Sequence, residues 1–320
     1  MTNPATPTTS IRLSTRPINH GDRVFRRVLL ALSGIVVLVL VLIAAYLTKL
    51  AWPAIQTKGI SFFTTSDWDP VKEHFGAGAF IFGTVVSSTI ALLIAVPLSI
   101  AVGLFLTELA PRRVAALVGF MVEMLAAIPS VVYGLWGIFF LAPLLRLYVQ
   151  PFLGRNFGWV FLFQGPPYGI GMLAASVILA IMVTPTITAI CREVFRAVPE
   201  TQREAALGLG ATKWETIRLA VIKSSWSGIF GASILGLGRA LGETMAVTML
   251  IGNRNEISSS LFSPGQTMAS VIANEYAEAG SNQHIAALAY VGLALFLVSF
   301  FVNYIARRIV KRLQNPGAAK

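Results

Sequence analysis

Apolar residues fill six long runs of the chain, roughly 28–48, 79–106, 114–141, 170–191, 226–251 and 285–306. The segments between them gather the charge, Pro and Gly. Runs of more than roughly 18 apolar residues suffice to cross a hydrocarbon core as a helix, so the pattern predicts six helical spans. Three of them contain a proline, Pro97, Pro129 and Pro185. Neighbouring helices or water satisfy the carbonyls such residues free, and each span is expected to continue through its proline. The second and third runs are long enough to tilt or project from the bilayer.

Composition strengthens this pattern. Of 320 residues, 55% are hydrophobic and 12% charged, and mean hydropathy is +0.72; a soluble domain carries about twice that charged fraction. The expected fold class is therefore all-α, a polytopic integral membrane protein. The net charge of +11 takes its meaning from location. Segments 1–27, 107–113, 192–223 and 307–320 hold 18 of the 25 basic residues, segments 49–78, 142–169 and 252–284 hold 6, and Arg239 alone lies inside a span. The positive-inside rule then puts both termini and the 192–223 loop in the cytoplasm, and the charge needs no nucleic acid to explain it.

The first run, 28–48, follows 27 residues and outlasts the usual signal-peptide core, so it reads as a retained anchor. The N-terminal tail 1–27 opens with "MTNPATPTTS", which cannot build a core; 307–320 forms a second tail. A single cysteine, Cys191, excludes an internal disulfide, and His20, His74 and His284 stand apart in separate polar segments, so no metal or catalytic cluster is expected.

The 192–223 loop contains "REVFRAVPETQREAALGLGATKWETIRLAVIK". Pro199 suits the first turn of a helix that runs to about Leu209 and stops at Gly210 in the left-handed conformation. Thr212 then opens a second helix through a capping box with Glu215. On physical grounds alone, two short helices of this kind fit an interfacial element lying on lipid. The string Glu204-Ala205-Ala206, three residues, then Gly210 resembles the EAA loop of bacterial ABC importer permeases. The resemblance implies a loop that docks on an ATPase subunit, with Glu204 as the polar contact, Ala205 and Ala206 in the docked helix, and Gly210 as the turn. One departure stands out: Ile222-Lys223 occupies the place where the family motif ends in an apolar residue and proline. No Gly-Lys dipeptide occurs, so the chain lacks the G-x-x-x-x-G-K-[ST] phosphate loop.

Four further stretches, "FFTTSDWDPVKEHFGA" (62–77), "EMLAAIPSVVYGLWGIFFLAP" (123–143), "GLGRALGETMAVTMLIGN" (236–253) and "SPGQTMASVIANEYAEA" (263–279), resemble the PstC family, the first permease subunit of phosphate-specific importers. The likeness runs from about residue 20 to 310. It implies the type I ABC importer permease fold, with a permease core over 79–306, in a bacterial inner membrane. It also implies a sister permease (PstA-like), two ATPase subunits (PstB-like) holding ATP and Mg, and an external phosphate-binding protein (PstS-like). This chain itself would bind no cofactor and do no covalent chemistry; its other surroundings would be membrane lipid. By composition, the 62–77 stretch fits either a plain polar outer loop or an amphipathic helix at the outer interface. The 263–279 stretch reads as a short helix with Pro264 at its start and Glu275 and Glu278 on one side. Rival readings are the same architecture carrying sulfate or molybdate, a channel or carrier without ATP, and a signalling scaffold.

Arg239 and Glu243 are the candidates for chemistry. In a continuous fifth span Arg239 lies roughly 20 Å along a length of about 39 Å, where one charge costs about 2.5–3.5 kcal/mol on insertion scales. Glu243, at i+4, would share its face. Either the two form a buried pair that fixes packing, which gains little over an apolar core, or Arg239 faces the pathway and offers phosphate a planar, multi-donor cation while Glu243 holds and competes for it. Gly236, Gly238 and Gly242 would let another helix approach. Glu123, placed in the third span, is open between a pathway or gating residue that pairs with Arg239 or with a basic group on the sister subunit, and a snorkelling or protonated carboxyl.

Overall fold

The structure, a computed structural model, describes residues 20–314. Of the expected tails, residues 1–19 and 315–320 lie outside the described residues, while 20–27 and 307–314 are helical. Two units divide the chain between Tyr46 and Leu47. Helix α1, His20–Lys58, begins eight residues before the apolar run it carries. In the first unit it exposes its apolar side chains along its length.

The second unit holds the remaining helices: α2 (Gly78–Leu109), α3 (Arg112–Ala127), α4 (Ser130–Phe157), α5 (Met172–Arg196), α6 (Glu200–Gly208), α7 (Lys213–Leu241), α8 (Met245–Leu250), α9 (Met268–Glu275) and α10 (Asn282–Gln314). Six helices are long and apolar enough to cross a membrane, namely α1, α2, α4, α5, α7 and α10. The expected number holds, but two spans differ from their expected form.

The third span is 130–157, not 114–141. Pro129 does not ride inside it. Ile128, before the proline, is extended (φ −67°, ψ 129°), and α3 ends there, because the proline ring disfavours helical backbone in its predecessor. The carbonyl that loses its i+4 donor belongs to Leu125, and the Tyr133 hydroxyl donates to it at 2.7 Å. Residues 142–157, read as outer loop, belong to the span, while α3, at about 24 Å long, is too short to cross alone. Pro97 and Pro185, by contrast, sit within unbroken helices as expected.

The fifth span is also interrupted. Its helix runs unbroken from Lys213 to Leu241, breaks at Gly242–Thr244, and resumes as α8. At its other end, where Lys223 stands in place of a helix-breaking proline, the second helix of the polar loop passes through a π-helical stretch, Ile217–Ile222, and continues into the span.

Helices α2, α5 and α7 pack around the main core, which includes Ala91, Leu179, Ile187, Phe195 and Ile229. Gly236 brings α7 onto α5: a β-carbon there would lie 2.7 Å from Ile187 Cδ1 and 2.8 Å from Val183 Cγ1. Of the three glycines expected to admit a neighbour, Gly236 makes the tight contact, while Gly238 and Gly242 have looser surroundings.

A second core joins α1 beyond residue 47, the start of α2, α9 and α10 through Phe62, Trp68, Phe75, Phe80, Met268 and Tyr290. The 62–77 stretch is neither a plain polar loop nor an amphipathic helix. It contains the end of a 3-10 turn and a two-residue hairpin pairing Trp68 with Phe75 and Asp69 with His74. Buried aromatic rings decide this: Trp68 meets Phe75 and Phe80 edge-on at 5.0 Å. Helix α9 starts at Met268, set by the reciprocal Thr267–Ser270 cap rather than by Pro264. Glu275 turns inward, accepting from Trp68 Nε1 at 2.8 Å and lying 2.9 Å from His284 Nε2, while Glu278 stays exposed.

Candidate functional site

Two regions carry the residues singled out by sequence. The first surrounds the break in the fifth span. Arg239 lies two residues before α7 ends and its side chain is exposed. It forms no ion pair among the described residues. The break removes the i,i+4 geometry that would have set Glu243 beside it. Glu243 instead turns to α8, where its Oε1 accepts the Ala246 N–H at 3.5 Å, a favourable place for negative charge at the start of a helix. The expected Arg239–Glu243 pair is thus absent: Arg239 is on the last turn of α7, and Glu243 lies within the interruption that follows. Thr244 and Thr248 donate their hydroxyls to the carbonyls of Gly242 and Thr244, at 3.3 and 2.7 Å.

The consequence for Arg239 is chemical. A guanidinium cannot shed its charge by deprotonating, and at mid-depth it persists beside water, an anion or another protein surface rather than lipid. Helix α8 packs on α4, with Ala246 and Met249 against Gly134, so the breaks after α3 and after α7 are brought to one neighbourhood. Non-helical backbone at membrane depth is tolerated where it is covered by protein or lines a cavity.

Glu123 is not part of this group. It stands on α3, outside the spans, and accepts from Arg192 Nη2 of α5 at 2.5 Å. Gly119, one turn earlier, makes room for that guanidinium: a β-carbon there would be 2.5 Å from Arg192 Nη1. The alternatives of a snorkelling carboxyl or a partner for Arg239 give way to a pair between α3 and α5.

The second region is the polar loop. Pro199 precedes α6, Gly210 has φ +84°, and Thr212 and Glu215 form the reciprocal capping box, all as the sequence indicates. Glu204 and Ala205 are exposed and Ala206 half-buried. Beside them Leu209 is 90% exposed, Trp214 63% and Leu207 53%. A carboxylate among bare apolar side chains on a polar loop is a surface suited to a partner.

Sequence reasoning missed Arg203, the residue before Glu204. It reaches inward from α6: Nη1 donates to the Val198 carbonyl at 2.5 Å, and Nη2 donates to Phe195 O and to Glu108 Oε1, both at 2.9 Å. It therefore ties α6 to the ends of α5 and α2. The only sequence signal was an arginine embedded in an otherwise recognised motif; Glu108 is 95 positions away.

Comparison with known proteins adds to this geometry. The family described as "Binding-protein-dependent transport system inner membrane component" matches residues 95–315. A protein of Mesorhizobium japonicum named "Phosphate transport system permease protein PstC" is 47% identical over 302 residues, covering 93% of this chain and 92% of its own length. "Phosphate transport system permease protein PstC 2" of Mycobacterium tuberculosis is 40% identical, covering 97% and 98%. Among solved structures, a chain of a bacterial alginate ABC transporter in complex with an alginate pentasaccharide-bound periplasmic protein has a TM-score of 0.60 at 16% identity, covering 90% of this chain and 96% of that one. A chain of the inward-facing MetNI methionine ABC transporter has a TM-score of 0.54 at 17% identity, covering 73% and 94%. At such identities the structural likeness concerns the fold.

Proposed function

The chain belongs to the family of binding-protein-dependent transport inner membrane components, and we propose that within it this protein is the permease subunit of an ATP-driven importer of inorganic phosphate. The observation that carries the reading is Arg239, an exposed guanidinium at a helix break with no ion-pair partner among the described residues. The relatives' names supply the cargo it would meet.

In this reading Arg239 faces the pathway between this chain and a sister permease, and its planar fork offers charge-assisted hydrogen bonds to a passing phosphate. Glu243, in the break and turned to the first N–H groups of α8, tempers the local field without masking the cation. An external phosphate-binding protein delivers the anion. Two cytoplasmic ATPase subunits, holding ATP and Mg, grip the exposed Glu204–Ala205–Ala206 surface up to Gly210. Their closing draws the 199–215 helices of the two permeases together and opens the pathway outward, and their separation after hydrolysis opens it inward. The chain performs no covalent chemistry. Both termini and the polar loop lie in the cytoplasm, as the basic residues indicate.

The test is uptake of labelled phosphate, with sulfate as control, in cells lacking this chain and complemented with wild type, Arg239→Gln or Glu204→Arg at matched membrane levels. Phosphate-selective uptake restored by the wild type and lost in both variants, with assembly intact, is expected. Full uptake with Arg239→Gln would remove that residue from the pathway, and sulfate uptake by the wild type would overturn the cargo.

A further inference from the structure

After the apolar run 285–306 the first charged residues of α10 are Arg307 and Arg308, within "YIARRIVKRLQ", which contains no acid. That run is about 33 Å long as a helix, close to the roughly 30 Å of a hydrocarbon core. The two arginines therefore stand at the level of the lipid headgroups, well away from the depth of Arg239.

Beside them α7 presents Gly231, Ile234 and Leu235, and a cleft of about 520 Å³ separates the two helices. Its polar end is formed by Asn303, Tyr304, Arg307 and Arg308. Gly231 leaves the wall open, with nothing within 4 Å of where a β-carbon would stand. The Tyr304 hydroxyl accepts from Arg308 Nε at 3.0 Å and Nη2 at 2.8 Å, which fixes that guanidinium and leaves Nη1 to donate elsewhere. Asn303 uses its amide N–H on Ser299 O, so its oxygen remains an acceptor. Neither Arg307 nor Arg308 forms an ion pair among the described residues.

We propose that this cleft binds a phosphate group, that of an anionic phospholipid whose acyl chain lies along Ile234 and Leu235. Two guanidinia and no carboxylate match a phosphate diester. The apolar wall and the depth select a lipid over a free solute ion, which would have no use for either. Basic pockets between spanning helices at this level are suited to acidic headgroups. The site is independent of the cargo assigned above.

The experiment uses the delipidated, detergent-solubilised assembly purified through this chain, with retention measured by native mass spectrometry. Phosphatidylglycerol, zwitterionic phosphatidylcholine and inorganic phosphate are added in separate arms. Phosphatidylglycerol retained over phosphatidylcholine, weakened on the order of tenfold or more in Arg307→Gln/Arg308→Gln and preserved in Arg307→Lys/Arg308→Lys, supports the proposal. Equal retention by wild type and the Gln pair overturns it. So does displacement of the lipid by millimolar inorganic phosphate, which would make the occupant a free ion. Should the Gln pair fail to assemble, Leu235→Cys carrying a photoreactive probe gives the second reading. Labelling of added phosphatidylglycerol supports a lipid-filled cleft, and labelling of a neighbouring subunit alone overturns it.

Discussion

Replacing Arg203 by Ala removes three hydrogen bonds at once, those to Val198 O, Phe195 O and Glu108. The side chains of Arg203 and Glu108 are 21% and 12% exposed, so the Glu108 carboxylate left behind has little water to turn to. Breaking a buried pair by removing one partner costs about 3–5 kcal/mol, and an unsatisfied buried carbonyl about 1–3 kcal/mol. Phe195 O keeps the Val198 N–H, and some solvent reaches the carboxylate. Together these bring the expected loss to about 2–4 kcal/mol. At 1.4 kcal/mol per factor of ten, the docked population of α6 falls by roughly 30- to 700-fold relative to the undocked one. The loss is local, since the spans pack independently of this contact. Hydrogen exchange over 200–208 is therefore expected to accelerate while exchange within α5 does not. In proteoliposomes, phosphate uptake should fall more than tenfold even though the assembly remains intact. Glu108→Gln should cost less, because an amide oxygen still accepts from the guanidinium. Uptake within twofold of wild type for Arg203→Ala, with unchanged exchange over 200–208, would refute the reasoning.

Gly236→Val should lower the melting temperature of the purified protein, because the new side chain meets Ile187 and Val183 and such overpacking typically costs about 1–3 kcal/mol. Gly210→Ala should destabilise the polar loop by about 1 kcal/mol through its positive φ alone, read as faster hydrogen exchange at 209–212. Cys191 is buried against Gly103 and Phe195, so a maleimide should label it only after denaturation; rapid labelling of the native protein would contradict the packing. The Lys72 backbone N–H, followed by the Lys72 side chain, holds the Asp69 carboxyl below the usual aspartate range. A depressed folded pKa contributes stability that is present above the unfolded value and lost as pH falls through the folded one. The 68–75 hairpin should therefore loosen at acidic pH, and Asp69→Asn should abolish that dependence when followed by Trp68 fluorescence.

What the sequence disclosed follows from range. The capping box at Thr212, the left-handed Gly210 and the number of spans are local patterns, and each appears in the structure, although the third and fifth spans have other bounds than the apolar runs indicated. The interruption at Gly242–Thr244 was hidden because its glycines also suit close helix packing, and no proline marks it. Pro129 was visible, but whether a membrane helix continues through a proline depends on what takes up the freed carbonyl. Here Tyr133, from the next helix, supplies that donor. Pairings between distant segments, Arg192 with Glu123 and Arg203 with Glu108, left no sequence trace, because charged residues near span ends are common and their partners are set by tertiary packing. Glu243 was placed beside Arg239 by assuming a continuous helix, and the break redirects it.

The unbroken helix from Lys213 to Leu241 makes the fifth span a lever. Arg239 rides on it roughly 39 Å from Lys213, while Glu243 lies in the break just past its tip. A tilt of about 5° applied at the loop end would sweep the guanidinium through roughly 3 Å, about the reach of one hydrogen bond. No proline breaks the helix at 223; the departure from α-helical geometry between loop and span is the π-helical stretch Ile217–Ile222. The position of Arg239 is then a mechanical variable, so the field met by an anion at that depth is set from the far end of the same helix.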